Sequence, residues 1–181
     1  GYSLIAADVS TGDWAWTSNR VDQIGTLYPG IYGVSNAALD TPWPKLRALK
    51  ARLGAAVAAA DALSRNGMSC SADLLALSLL RALADKHLAP DELLPTTGVS
   101  RESERTLSAA FIDARDRGYG TRSSSVVISE ITHEGTLTHV YEMTHATGPD
   151  SERPDRHLLS PPSSIDDDAR LLNCLPALVR V

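Results

Sequence analysis

The chain has 181 residues, of which 43% are hydrophobic and 22% are charged, a balance typical of one soluble globular domain. Its 17 basic residues face 22 acidic ones, for a net charge of -5, and they form no basic run, so we expect no nucleic-acid partner. No apolar run is long enough to span a bilayer and the first residues do not resemble a signal peptide, so we expect a cytoplasmic protein without a transmembrane segment.

The first part of the chain alternates short apolar runs with turn formers, a pattern typical of strands. Residues 2–7 and 13–18 predict a hairpin, in which Trp14 and Trp16 alternate along the second strand. Ile31, Tyr32 and Val34 follow a Pro-Gly turn and predict a third strand.

Helices are predicted next, because apolar residues recur every three or four positions from Trp43 onward. The first helix extends to about residue 65 and has Pro44 in its first turn. The second runs from Ser71, a suitable N-cap, to His87. Its leucines occupy more than one face, so we expect it to lie between a sheet and a neighbouring element. A short third helix is predicted over residues 102–112.

The last regular pattern is a second hairpin, formed by residues 126–131 and 137–143. Residues 147–181 are rich in proline, serine and aspartate and predict a flexible tail, so we divide the chain into a domain at 1–146 and a tail at 147–181. The order of strands, helices and strands favours an α+β fold, in which helices cover antiparallel sheets, over an alternating βαβ fold.

The sequence carries no common catalytic or metal-binding motif. Cys70 and Cys174 lack the spacing of a zinc site and are too few for a disulfide framework. His133, His139 and His145 are six residues apart, but side chains at this spacing on a hairpin need not converge. We therefore predict no metal site and assign no cofactor; the oligomeric state also stays open.

Two segments, residues 30–45 and 118–126, combine glycines with polar groups at strand ends. The amide of Asn36 suits contact with an oxyanion or a ligand amide, and the alternative is that Asn36 closes a turn or caps the following helix. Arg122 is either a donor in a pocket or a surface arginine, and spacing alone favours the surface. Trp43 and Tyr119 are pocket walls or core residues.

Separated motifs in these segments resemble the NRDE family, also called the transport and Golgi organization protein 2 family. They are Gly33-Val34-Ser35-Asn36, Leu39-Asp40-Thr41-Pro42-Trp43-Pro44-Lys45, Leu94-Pro95-Thr96-Thr97-Gly98-Val99 and Tyr119-Gly120-Thr121-Arg122-Ser123-Ser124. The motifs follow the family's order within roughly residues 1–145. The resemblance implies that the chain is the C-terminal part of a layered fold similar to that of the N-terminal-nucleophile hydrolases.

The resemblance also implies roles for individual residues. Asn36 would contact an oxyanion or ligand amide, Arg122 would steady a nucleophile or an acidic ligand, and Trp43, Tyr119 and Thr121 would contact the ligand. The family's Cys and its Asn-Arg-Asp-Glu motif do not occur in this sequence, and Gly1 has no nucleophilic side chain, so we expect no catalysis by this chain alone.

Two functions follow from the resemblance. The first is a cytoplasmic protein that binds a small molecule of the haem or lipid type or takes part in trafficking. The second is an amide or ester hydrolase of the N-terminal-nucleophile type whose nucleophile lies in upstream sequence.

Overall fold

The computed structural model describes residues 1–8, 11–22, 24–68, 70–133, 135–145, 155–159 and 177–180. Within these residues, strands and helices mix as an α+β fold, which confirms the predicted class. The strands are β1 (Ser3–Asp8), β2 (Asp13–Ser18), β3 (Gly25–Leu27), β4 (Ile31–Val34), β5 (Asp113–Ala114), β6 (Tyr119–Gly120), β7 (Ser123–Thr132), β8 (Gly135–Thr144), β9 (Asp155–Leu159) and β10 (Ala177–Arg180). The helices are α1 (Pro44–Arg65), α2 (Ala72–Leu83) and α3 (Arg101–Thr106).

The described strands form four small sheets, three of which are antiparallel as predicted. These are β1-β2-β3, β5-β6 and β7-β8-β9. The fourth sheet differs, because β4 and β10 run parallel. The two predicted hairpins are confirmed as β1-β2 and β7-β8. Strand β3 was not predicted; it has three residues, which is too short for an alternating pattern to be recognised.

Helix α1 begins and ends where the sequence predicts. Trp43 is its N-cap and Pro44 its first residue, a position where a missing N–H removes no helical hydrogen bond. After Arg65 the chain reaches Gly67, whose φ of +72° is a conformation that glycine adopts at little cost. Leu46, Leu49 and Leu53 bury one face of the helix.

Helix α2 is shorter than predicted and ends at Leu83 rather than at His87. Beyond Leu83, backbone groups find partners outside the helix. The carbonyl of Asp85 accepts a hydrogen bond from the Phe111 N–H at 2.8 Å, and the Asp85 carboxylate accepts one from the His87 N–H at 3.0 Å. These bonds compete with helical ones, so the chain leaves the helix one turn early.

Helix α3 also ends earlier than predicted, at Thr106 instead of residue 112. The carbonyl of Leu107 accepts a hydrogen bond from Lys45 Nζ at 2.9 Å, and Ser108 Oγ accepts one from the Ala89 N–H at 2.9 Å. These contacts hold the end of α3 against the start of α1 and against the connection that follows α2.

Helices α1 and α2 pack on each other and lie between two sheets, because α1 also packs on β4 and α2 on β7. The α2 side chains Ala76 and Leu80 meet Val126 and Tyr141 of the β7-β8 hairpin, and a second cluster joins Leu49, Leu53 and Ala82. The expected burial of α2 on two sides is confirmed. On a third side, Leu74 is 61% exposed.

The predicted flexible tail falls mostly on residues outside those described. Within it, β9 pairs with β8 and β10 pairs with β4. Flexibility of residues 147–181 and the boundary after residue 146 therefore stay predictions, as does the likeness to N-terminal-nucleophile hydrolases. No helix in the described part of the chain is long and apolar enough to cross a membrane.

Candidate functional site

A loop that is closed at its base by hydrogen bonds between Gly33 and Asp40 carries Asn36. The Gly33 N–H donates to Asp40 Oδ1 at 2.8 Å, and the Asp40 N–H donates to the Gly33 carbonyl at 2.8 Å. Lys50 Nζ donates to the same carboxylate oxygen at 2.7 Å. Asp40 has a φ of 57°, a left-handed conformation that aspartate tolerates better than most residues. These contacts fix the two ends of loop 33–40.

Asn36 lines a cavity of about 70 Å³ between loop 33–40, the start of α1 and residues 95–108. The cavity is lined by Asn36, Trp43, Pro44, Lys45, Pro95, Thr97, Glu104, Leu107 and Ser108. Trp43 is the N-cap of α1, so Asn36 does not cap this helix, and the hydrogen bonds that close the loop are made by Asp40.

A buried carboxylate forms one wall of this cavity. Glu104 on α3 is only 4% exposed, and its Oε1 accepts hydrogen bonds from the N–H and the hydroxyl of Thr97, at 2.6 and 2.8 Å. Thr97 itself is exposed, so the carboxylate ties the cavity to the surface loop before α3. Burying an ionised group is costly unless it is hydrogen-bonded, and these two bonds account for one of its two oxygens.

A partly buried ammonium group lies on the α1 side. Lys45 Nζ donates to the Leu107 carbonyl at 2.9 Å, and burial lowers the pKa of Lys45 from its ordinary value. An ammonium has three N–H donors, so one backbone contact leaves capacity for a ligand acceptor.

The Ser108 hydroxyl, another polar group that lines the cavity, already makes two hydrogen bonds within the protein. The Ser108 hydroxyl donates to the Arg105 carbonyl at 2.7 Å and accepts from the Ala89 N–H at 2.9 Å. Ser108 therefore supports the wall rather than offering a free hydroxyl. Among the described residues, the Asn36 side chain makes no hydrogen bond, Lys45 makes one, and one of the two Glu104 oxygens accepts from protein donors.

Comparison with known proteins shows which family the chain resembles. The family described as Transport and Golgi organisation 2 matches residues 1–146, which include every residue that lines the cavity. The chain belongs to this family. The resemblance predicted from the sequence motifs is thereby confirmed.

Curated relatives come from three mammals. The chain is 35% identical over 144 residues to the human Transport and Golgi organization protein 2 homolog, 32% over 143 residues to the mouse Transport and Golgi organization 2 homolog, and 35% over 145 residues to the protein of cattle. Each match covers 76% of this chain and 49% of the relative, so the chain spans about half the length of the curated relatives it matches. No solved structure matches the chain.

The family-like motifs do not all meet at one place. Asn36 and Trp43 of the first motif line the cavity together with Pro95 and Thr97 of the Leu94 to Val99 motif. The motif that contains Tyr119, Thr121 and Arg122 contributes no lining residue. The structure thus brings together two of the five predicted site residues.

The other three predicted residues lie elsewhere. Thr121 is engaged with Ile112, since its Oγ1 accepts the Ile112 N–H at 2.9 Å and its own N–H donates to the Ile112 carbonyl at 2.8 Å. Tyr119 is 57% exposed on β6, and Arg122 is exposed just before β7. Their ligand-contacting and supporting roles stay predictions.

Residues missed by the sequence reasoning are Lys45, Thr97, Glu104 and Ser108. Lys45 and Thr97 belong to the family-like motifs, and this membership was the available signal. Glu104 had no local signal, because a glutamate in a short polar helix is ordinarily a solvated residue.

His139 and His145 lie in separate environments. His139 hydrogen-bonds with Glu130 at 2.8 Å, whereas His145 hydrogen-bonds with Ser124 at 2.9 Å and meets the Phe111 ring edge-on at 4.7 Å between centroids. Burial lowers the pKa of His145. No group of three His, Cys, Asp or Glu in the described part of the chain is placed to hold a metal ion.

A second depression, of about 300 Å³, lies at the end of loop 33–40 and is lined by Asp40, Pro42, Leu46, Arg47 and Lys50. It is larger, but Lys50 and Asp40 are already paired with each other across it. The smaller cavity is the better candidate, because its polar wall includes the buried Glu104 and the partly buried Lys45, whereas Asp40 and Arg47 of the depression are exposed.

Proposed function

We propose that this chain binds a small molecule through a polar group that enters the cavity beside loop 33–40. The observation that carries the proposal is the convergence of Asn36, Lys45 and Glu104, from three separate segments, on one cavity. Ligand sites typically combine a concave surface with a few convergent polar groups. A stretch that only connects secondary structure does not require such a set.

The volume of the cavity limits what enters it. About 70 Å³ exceeds the roughly 10–15 Å³ that a water needs but falls short of the roughly 300 Å³ of a pocket that encloses a whole ligand. We propose that the polar end of a haem- or lipid-type molecule occupies the cavity while the remainder lies outside it. A part in trafficking, suggested by the names of the relatives, and the cytoplasmic location expected from the sequence belong to the same proposal.

The test is a titration of the 181-residue chain with haem, palmitoyl-coenzyme A and hexanamide, followed by calorimetry and thermal unfolding. A ligand at 100 times its Kd stabilises the folded state by about 2.7 kcal/mol. We expect binding of at least one of these compounds, and we expect Asn36→Ala and Lys45→Met to weaken it.

Lys50→Met is the matched control, because Lys50 lies on the same helix but does not line the cavity. It should leave affinity unchanged. Binding measurements on Arg122→Ala test whether the site extends to the motif that contains Tyr119, Thr121 and Arg122. The proposal is wrong if none of the three compounds binds, or if Asn36→Ala binds as tightly as the original chain.

A hydrolase is the second candidate function, and the position of Asn36 favours it, since an amide donor in a cavity can stabilise an oxyanion. This reaction needs a nucleophile from sequence upstream of Gly1. A longer form of the protein that begins with a processed Cys should cleave hexanamide or butyrate esters, and Asn36→Ala should lower kcat by about 10²–10³. Absence of cleavage by that form would refute this candidate and leave the binding proposal standing.

A further inference from the structure

Lys45 differs from the other two lysines of the chain, Lys50 and Lys86, in what its side-chain nitrogen contacts. The Nζ atoms of Lys50 and Lys86 each lie 2.7 Å from an aspartate oxygen. Lys45 Nζ instead donates to the backbone carbonyl of Leu107 at 2.9 Å. Within the part of the chain that the structure describes, Lys45 is therefore the one lysine without an ion pair.

The hydrogen bond of Lys45 joins two residues that line the cavity beside loop 33–40, because Leu107 lines it as well. Lys45 is partly exposed, so a small molecule has access to this residue. Burial lowers the pKa of Lys45 from its ordinary value, because it disfavours the charged ammonium. The neutral amine therefore forms more readily here than on a fully solvated lysine.

These properties suit a lysine that acts as a nucleophile. An ammonium has no lone pair, so only the neutral amine attacks a carbonyl carbon, and desolvation is a common way to activate a lysine for this chemistry. Reaction at Lys50 or Lys86 would break an ion pair. Reaction at Lys45 replaces one hydrogen bond to a backbone oxygen.

We propose that Lys45 is a covalent attachment site for aliphatic aldehydes, with which its amine forms an imine. Nζ bonds to the carbonyl carbon, both hydrogens of the neutral amine pass to the carbonyl oxygen, and that oxygen leaves as water. The step consumes no oxidant or reductant. An aliphatic chain beside the carbonyl suits the position, because Trp43, Pro44, Pro95 and Leu107 also line the cavity.

The experiment uses the 181-residue chain without substitution. The chain is incubated near neutral pH with hexanal and sodium cyanoborohydride, which reduces an imine to a stable secondary amine. Peptide mass spectrometry then follows labelling of each lysine over time and resolves it from labelling of the amino terminus. We expect Lys45 to be labelled at least about fivefold faster than Lys50 or Lys86, a factor that an exposed ion pair at the strong end of its range would produce by itself.

Lys50 is the matched control within the same chain, because it lies on the same helix and its side chain is only 29% exposed. Labelling in urea is the second control. The cavity and the ion pairs are lost in the unfolded chain, so the three lysines should then be labelled alike. Equal labelling of the three lysines in the folded chain, or a preference for Lys45 that persists in urea, would overturn the proposal.

A comparison of two aldehydes tests the part played by the cavity. Formaldehyde has no alkyl chain to place against the apolar lining, so its preference for Lys45 should be smaller than that of hexanal. An equal preference with both aldehydes would overturn the aliphatic specificity.

This inference goes beyond the proposed binding function, and its test reads a covalent product rather than an affinity. Selective labelling of Lys45 supports it even if haem, palmitoyl-coenzyme A and hexanamide do not bind. Binding of one of these compounds together with equal labelling of the lysines would overturn only the role of Lys45 as an attachment site.

Discussion

Replacing Gly33 by alanine should destabilise the protein, because β4 passes directly over α1 at this point. An added Cβ would lie 2.7 Å from both Cγ and Cδ1 of Leu46. Carbon atoms in good contact are roughly 3.5–4.0 Å apart, so the overlap is about 1 Å. Leu46 is 1% exposed, so relieving the overlap requires this packed side chain to shift.

The backbone of Gly33 cannot easily yield either, since its N–H and its carbonyl both bond to Asp40. Overpacking of this kind costs roughly 1–3 kcal/mol. For a chain of this length each kcal/mol corresponds to roughly 2–4 °C in Tm, so we expect a fall of about 2–12 °C.

Urea unfolding of Gly33→Ala measures this cost as a lower midpoint at unchanged slope. Gly25→Ala is the control, because its added Cβ would approach no atom closer than 3.8 Å. Leu46→Ala alone should cost about 2–5 kcal/mol, and the double variant should cost less than the sum of the two, since removing the leucine side chain removes the overlap. A Gly33→Ala stability within about 0.5 kcal/mol of the original, or strict additivity, would refute the described packing.

Three further predictions concern pH and helix capping. Burial lowers the pKa of His145 in the folded state. The contribution of neutral His145 to stability is therefore complete above the pKa of histidine in the unfolded chain and is lost as the pH falls. Urea unfolding should show that the original chain loses more stability than His145→Gln between pH ~7.5 and ~5. Burial also lowers the pKa of Lys45, so the unfolded chain binds more protons at alkaline pH, and the stability of the original chain relative to Lys45→Met should rise from pH ~7.5 to ~10; a flat difference would contradict the burial of this ammonium. Ser71 Oγ accepts the Leu74 N–H at 3.3 Å, so Ser71→Ala should cost about 1 kcal/mol in thermal unfolding, whereas Ser64→Ala, at an exposed position inside α1, should change stability by less than about 0.5 kcal/mol.

Much of the secondary structure could be predicted from the sequence because it depends on nearby residues. The alternation around Trp14 and Trp16 predicted β2, and the period of three to four from Leu46 onward predicted α1 with the correct ends. Turn residues and the Ser71 cap act within a few positions along the chain, so their effects can be inferred without the fold.

Helix ends that depend on distant partners could not be predicted in this way. Helix α2 stops early because Asp85 bonds to Phe111, which is 26 residues further along the chain. Helix α3 ends beside a hydrogen bond from Lys45, 62 residues from its acceptor Leu107. Local periodicity carries no information about contacts of this length.

The amino-acid sequence alone was enough to predict the α+β class, the main hairpins and helices, and, through its motifs, the family. Which of the predicted site residues share a cavity followed from the fold: Asn36 and Trp43 do, and Arg122 does not. The fold also revealed Glu104, which is buried on α3 and lines the same cavity as Asn36 and Lys45. A side chain's access to water and to partners depends on which segments meet in space, and composition, period and motif order do not specify that.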